Sequence, residues 1–361
     1  MKIRKPLALG LVSGLALSVF AVAAPAFADP VSNSYVLVGS DTLQDSANAI
    51  VNGTTITGTP VQVLANGATL GNFDAFPKNS KIQTKPAGPY FLRPSGSGNG
   101  RNALISSITG APWNGVDITG QVDIARSSSG PGGNANSAGK LVYYPYARDA
   151  VSYAYYGTGN ELNALTTAQL KTIYESDDDV TINGVVVKPL LPQSGSGTRD
   201  FFLSAIGVTT LGSTVNTKGD TLPENDGSQL TAAGQIVPFS VASWVAQSNN
   251  AAPNTIPGSG NVKLGSTNSI APYTGSGTSL VPASAYYATS YGRDTYLIVE
   301  YARVEVGNAK YDATLASLLD RTLPASLTNF GASSTTVGAV KKKFGFLAPS
   351  STDPIRAYAT I

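Results

Sequence analysis

Three times this chain leads through a turn of serine, threonine and glycine into a helical pattern. Tyr35-Val36-Leu37-Val38 is a buried strand pattern, Gly39-Ser40-Asp41-Thr42 is a tight turn, and residues 43 to 50 continue with helical spacing. The stretch "RPSGSGNGRNALISSI" places glycine and serine before a second helix-like run. "LLPQSGSGTRDFFLSAIG", residues 190 to 207, does so again: Phe202 and Ile206 are four apart and Gly207 suits a helix stop. Val122-Asp123-Ile124-Ala125 is another short strand and ends at the turn "RSSSGPGG". Strands alternating with helices in this way predict an α/β fold, with ligands at the C-terminal ends of strands where helices begin.

The remaining segments fit that frame. "YYPYARDAVSYAYY" (143 to 156) reads as extended strand, and packing is the expected role of Tyr143, Tyr144 and Tyr146, with stacking on a ligand as the alternative. In "LTTAQLKTIYE", Thr166 and Gln169 make a capping box, and Leu170, Ile173 and Tyr174 form an apolar stripe. Asn183-Gly184 between "VTI" and "VVVK" is a hairpin signal. Residues 235 to 247 predict a strand and then a helix, 248 to 290 mostly loop, 295 to 304 a buried strand, and 312 to 321 a helix.

Composition narrows the function. Residues 1 to 28 read as a secretory signal: Lys2, Arg4 and Lys5 precede the apolar run Leu7 to Val22, and Ala26-Phe27-Ala28 is an A-x-A cleavage site. The chain of 361 residues has 24 Lys plus Arg and 22 Asp plus Glu; removing the three basic residues of the signal leaves 21 minus 22, or −1. That balance gives no bulk attraction to nucleic acid, so a bound anion must be held by local geometry. There is no cysteine, hence no disulfide framework and no lipid attachment at the cleavage site. There is no histidine either, which excludes Ser-His-Asp and Cys-His catalysis and the commonest metal ligand.

Ser194-Gly195-Ser196-Gly197-Thr198 carries the sharpest chemical suggestion. Backbone N–H groups at a helix start lack internal partners, glycine lets an anion approach, and hydroxyls add donors. Arg199 adds a permanent charge. A mobile Gly/Ser turn with an ordinary N-cap is the alternative. Similar turns at 39 to 42, 95 to 98 and 126 to 129 would together encase an oxyanion if they converged. Other phosphate motifs fail: "GSGNGR" has Arg101 where G-x-G-x-x-G needs its third glycine, and no G-x-x-x-x-G-K-[ST] is present. Asp177-Asp178-Asp179 lacks calcium-loop spacing, so neither a metal nor a cofactor is expected.

Six pieces in order, "VGSDTL", "SGSGNGRNAL", "VDIARSSS", "YYPYARDAVSYAYY", "LTTAQLKTIYES" and "LLPQSGSGTRDFF", resemble the phosphate-binding proteins of ABC transporters. These belong to the periplasmic-binding-protein (type 2) superfamily, and the likeness is nearest to a divergent actinobacterial-type branch. The resemblance implies two α/β lobes joined by hinge strands, lobe one over 29 to 150 plus 237 to 361 and lobe two over 151 to 236. It implies capture of phosphate, or a related tetrahedral oxyanion, by a monomer that serves an ABC permease and is no enzyme.

By position, the resemblance makes Thr42, Leu43, Ser97, Ser196, Gly197 and Thr198 the anion donors. Ser127 and Ser128 sit in its third turn. Pro192 stands where the family often has arginine, and Ser128 where it has a proton-accepting carboxylate. Arg126 and Arg199 are expected to restore the charge and Asp41 the acceptor. Without a lipid anchor, the protein is expected in a periplasm or wall space, or released. A surface or matrix protein that keeps this fold without transport is the alternative function, and a phosphate-ester hydrolase a more distant one.

Overall fold

A computed structural model describes residue 29 and residues 31 to 360. The secretory signal read over residues 1 to 28 lies outside the described residues. Ten strands form one mixed sheet: β1 (Tyr35–Gly39), β2 (Leu70–Asn72), β3 (Ile124–Ser127), β4 (Leu141–Tyr156), β5 (Val180–Ile182), β6 (Val185–Pro189), β7 (Gln235–Ser240), β8 (Val262–Leu264), β9 (Gly292–Glu300) and β10 (Ile355–Ala357). The α-helices are α1 (Gln44–Asn52), α2 (Ser97–Thr109), α3 (Thr167–Glu175), α4 (Gly197–Ile206), α5 (Val241–Ser248), α6 (Ser284–Tyr287), α7 (Ala313–Leu318) and α8 (Val337–Lys343).

The sheet runs β2-β1-β3-β9-β4-β7-β6-β5, with β8 and β10 also on β4. β1 is parallel to β2 and β3, so the turns after β1 and β3 emerge at one edge. β4 is 16 residues long and joins the lobes. Its first part pairs antiparallel with β9 from Leu141 to Ala150, and its second part with β7 from Val151 to Tyr155. A strand this long, buried along nearly its whole length, explains the run of tyrosine, valine and alanine that fills it.

The core divides on either side of that junction. Leu170 and Tyr174 of α3 and Phe202 and Ile206 of α4 pack with Tyr153 and Tyr155 of β4 in one cluster. That cluster also takes in Trp244, Val262, Leu264, Tyr286 and Tyr291. The sequence reading assigned these last five to lobe one, because they follow residue 236. They are buried in the same cluster as α3, α4 and the second part of β4. Ala242 and Ala246 of α5 face the other way, into the cluster built by Leu37, Ile50, Leu297 and Val340. Val36, Val38, Leu104, Ala125 and Ile298 form the second lobe-one cluster, so the β1–β3–β9 sheet is covered on both faces.

Local chemistry explains the elements. Asn183 (φ 49°) and Gly184 (φ 82°) both adopt the left-handed conformation that a two-residue hairpin needs, and β5 and β6 pair antiparallel around them. The Thr166–Gln169 capping box is present in full at the start of α3. Thr166→Ala is expected to lower stability by about 1 kcal/mol, read by urea unfolding. Residues 248 to 290 are largely loop, but they contribute β8 and α6 to the lobe-two core. Tyr143 and Tyr146 are buried packing residues: Tyr143 meets Tyr296 edge-on with ring centres 5.9 Å apart, and the Tyr146 hydroxyl lies 2.8 Å from Ser46 Oγ. Asp177, Asp178 and Asp179 are exposed in the bend between α3 and β5, and among the described residues no cluster could hold a metal ion.

Candidate functional site at the lobe contact

Three of the helix-start turns meet where the lobes touch. Ser97, the first residue of α2, places its Oγ 3.0 Å from Ser128 Oγ and accepts a hydrogen bond from the Ser128 N–H at 2.9 Å. Across the gap, Gly98 N donates to Gly195 O at 3.1 Å and Gln193 Nε2 to Ser95 Oγ at 3.3 Å. Thr42 Oγ1, just before α1, lies 3.4 Å from Thr198 Oγ1 in the first turn of α4. Gly96 (φ 94°) and Gly195 (φ 83°) both hold left-handed backbone, and a side chain on Gly96 would strike the carbonyl of Gly195. Close approach of two backbones is the reason for glycine at this contact.

Each helix start has its donors arranged differently. Ser196 is the N-cap of α4, its Oγ accepting from Arg199 N at 3.0 Å. The N–H groups of Gly197 and Thr198 belong to the first turn, where no carbonyl lies four residues back within the helix. Leu43 is the N-cap residue of α1, and its side chain is buried in the lobe-one core, which leaves only its backbone for the site.

Both arginines expected to supply charge are turned to other work. Arg126 is fully buried, and its guanidinium donates to the carbonyls of Leu37, Gly39, Ser40 and Phe73 and to Asn72 Oδ1. Burial pulls its pKa down to about 10, with Asp74 and Asp41 opposing. It stitches the ends of β1 and β2 to β3. Arg199 Nη1 donates to the carbonyl of Pro192 at 3.0 Å and stands 4.0 Å from Asp220. Ser127 Oγ bonds the Ser129 carbonyl at 2.7 Å and closes its own turn.

The charge at the contact comes from Arg293, which the sequence reading missed. Arg293 lies opposite Asp149 in the β9–β4 register and is 4% exposed. Its Nε and Nη2 donate to Asp149 Oδ2 at 3.1 and 2.9 Å. The same guanidinium reaches Gly197 O at 3.0 Å, Thr198 Oγ1 at 2.9 Å and Thr42 Oγ1 at 3.3 Å. It therefore spans both lobes from the junction between them. Asp149 is anchored in turn by Ser240 Oγ and the Ala242 N–H at the start of α5.

Carboxyl groups border the arginine. Thr198 Oγ1 donates to Glu224 Oε2 at 2.8 Å, and Asn225 Nδ2 donates to Asp41 Oδ2 at 3.2 Å. Burial, and then the neighbouring Glu224, raise the Asp41 pKa well above the usual carboxylate range. Asp45, on α1, is pushed up to about 6 by burial and by Asp74. Asp41, Asp45 and Glu224 line a cleft of about 510 Å³ that opens beside the contact.

No protein-family model and no curated protein sequence matches the chain. Solved structures do. An ABC-type phosphate transport receptor from Vibrio cholerae is 16% identical, with a TM-score of 0.52 over 88% of this chain and 100% of the receptor. A protein from Clostridium perfringens, described as a phosphate ABC transporter substrate-binding protein and solved with bound phosphate, is 14% identical. Its TM-score is 0.52 over 88% of this chain and 99% of its own. At such identities the likeness speaks to architecture alone. The chain has a two-lobed, periplasmic-binding-protein-like α/β fold.

Proposed function

We propose that the chain is an exported solute-binding protein that captures phosphate, or a related tetrahedral oxyanion, between its lobes. The closed form would serve an ABC permease, and the motif order favours an actinobacterial-type branch of phosphate receptors. One observation carries the reading: helix-start turns at Thr42 and Gly197-Thr198 meet at the buried guanidinium of Arg293, with the hydroxyls of Ser97 and Ser128 beside Gly197. Orphan N–H groups at the start of α4, the hydroxyls of Ser97, Ser128, Thr42 and Thr198, and one fixed cation are a donor set suited to an oxyanion. An anion that touches both lobes binds the closed form better than the open one and shifts the population towards it. Nothing in this donor set requires a covalent step.

Calorimetry with phosphate, sulfate, arsenate and tungstate tests the proposal. Binding of at least one in the micromolar range is expected, and binding of none overturns it. Thr198→Val removes the hydroxyl that faces Arg293, Glu224 and Thr42, and is expected to weaken oxyanion binding by about 1.5–3 kcal/mol in the same titration.

A further inference from the structure

We propose that Asp41 and Glu224 form a proton-sharing bridge across the interlobe cleft, so that closing the lobes takes up a proton and raising the pH opens them. The inference concerns the lobes themselves and stands whether or not phosphate is the ligand.

Asp41 lies in the turn after β1, within lobe one, whereas Glu224 follows Leu222, which is buried in the lobe-two core. Both side chains line the same cleft beside the lobe contact. Asp41 Oδ1 and Glu224 Oε1 are both buried and have no donor among the described residues. Their other oxygens are engaged, Asp41 Oδ2 by Asn225 and Glu224 Oε2 by Thr198. Two carboxyl oxygens can make a hydrogen bond only if one carries a proton, and two adjacent carboxylates in a buried site do not both ionise.

The surroundings do not supply the missing charge. Asp45 of α1 and Asp226 of the Glu224 loop line the same cleft, and burial together with Glu224 raises the pKa of Asp200 in the first turn of α4. Lys78 also lines the cleft, but its ammonium is held by Asp220 at 2.7 Å. Arg126 is saturated by backbone carbonyls and Asn72, and Arg293 is matched by Asp149. Neither Asp41 nor Glu224 has an ion-pair partner among the described residues. A proton is the remaining neutraliser.

The sign follows from linkage. With the lobes apart, Asp41 loses the burial and the Glu224 neighbour that raise its pKa; with the lobes together, Asp41 retains its proton to higher pH. The closed form binds more protons, so its advantage is complete below the ordinary carboxylate range. That advantage falls as pH rises and is exhausted once pH passes the raised value of the closed pair.

Small-angle X-ray scattering of the protein in oxyanion-free buffer, between about pH 5 and pH 9, tests the bridge. The wild-type radius of gyration is expected to increase with pH. Glu224→Gln and Asp41→Asn should each stay compact throughout, because an amide donates permanently where the shared proton stood. Asp45→Asn should keep the wild-type transition. A wild-type radius that does not change with pH overturns the proposal, as does an unshifted transition in both amide variants. Potentiometric titration of each variant provides a second reading: the groups titrating above the usual carboxylate range should fall by one in either amide variant, and no loss in both overturns the bridge. No oxyanion enters these measurements, so their failure is distinct from failure of the calorimetry.

Discussion

Arg293→Ala is expected to lower the stability of the protein by about 3–5 kcal/mol and to abolish oxyanion binding. The guanidinium is 4% exposed and makes two bonds to Asp149, which is itself fully buried. Removing it leaves Asp149 in the junction between the lobes with, among the described residues, only the Ser240 hydroxyl and the Ala242 N–H to face it. That desolvated charge, more than the lost bonds, sets the size of the effect. The same substitution frees Gly197 O, Thr198 and Thr42 from their common donor.

The two consequences can be separated. Pairing Arg293→Met with Asp149→Asn removes the orphaned charge, so urea unfolding should recover much of the lost stability while calorimetry still finds no binding. Arg293→Lys should fall between: an ammonium is a single point and cannot reach Asp149 and Thr198 with the two edges of one plane. Wild-type affinity in Arg293→Ala would show that the guanidinium braces the junction and takes no part in capture.

What could be read from the sequence was chemistry confined to one short stretch. The Asn183-Gly184 hairpin, the Thr166 capping box and the stop at Gly207 depend on residues within a few positions of each other, and all three are present. So are the strand–turn–helix unit that starts α1 and the glycine-serine turn before α2. What escaped depends on register between distant strands. The strand was read from Thr295 because "TYLIVE" is plainly apolar, which left Arg293 outside it. Yet Arg293, Thr295 and Leu297 are all buried at alternate positions. Extending that alternation two residues back would have reached the arginine. A second signal was available. Arg148-Asp149 and Arg293-Asp294 are Arg-Asp dipeptides on paired antiparallel strands, and their register gives two ion pairs, Arg293 with Asp149 and Arg148 with Asp294.

Arg126 and Arg199 make other contacts, for the converse reason. Each stands next to a turn in sequence, but neighbouring side chains on a strand or helix point in different directions. Arg126 turns among the carbonyls at the ends of β1 and β2, and Arg199 turns back to the carbonyl of Pro192, which stands where the resemblance expects an arginine. Glu224 lies in "TLPENDGS", which has the composition of a solvated turn, yet it is buried in the fold beside Thr198.

Gly197→Ala should separate folding from closure, with the second-largest effect expected here. Gly197 is the first residue of α4 and does not have left-handed backbone, so alanine suits its conformation. Within lobe two the substitution should be neutral, or stabilising by up to about 1 kcal/mol, because alanine loses less backbone entropy in a helix than glycine. Across the cleft it should be damaging. The new methyl group would fall far inside van der Waals contact of Ser97 Oγ and Ser128 Oγ. Those hydroxyls are held by one another and by the Ser128 N–H, so moving them breaks the contact between α2 and the turn after β3. A closure penalty of about 2.7 kcal/mol or more corresponds to about 100-fold weaker oxyanion binding. Urea unfolding of Gly197→Ala should therefore match or exceed wild type while calorimetry shows the loss. Wild-type affinity in this variant would mean that the lobes do not close on α4 when the anion is bound. Loss of stability together with affinity would mean that Gly197 serves the fold of lobe two, not the meeting of the lobes.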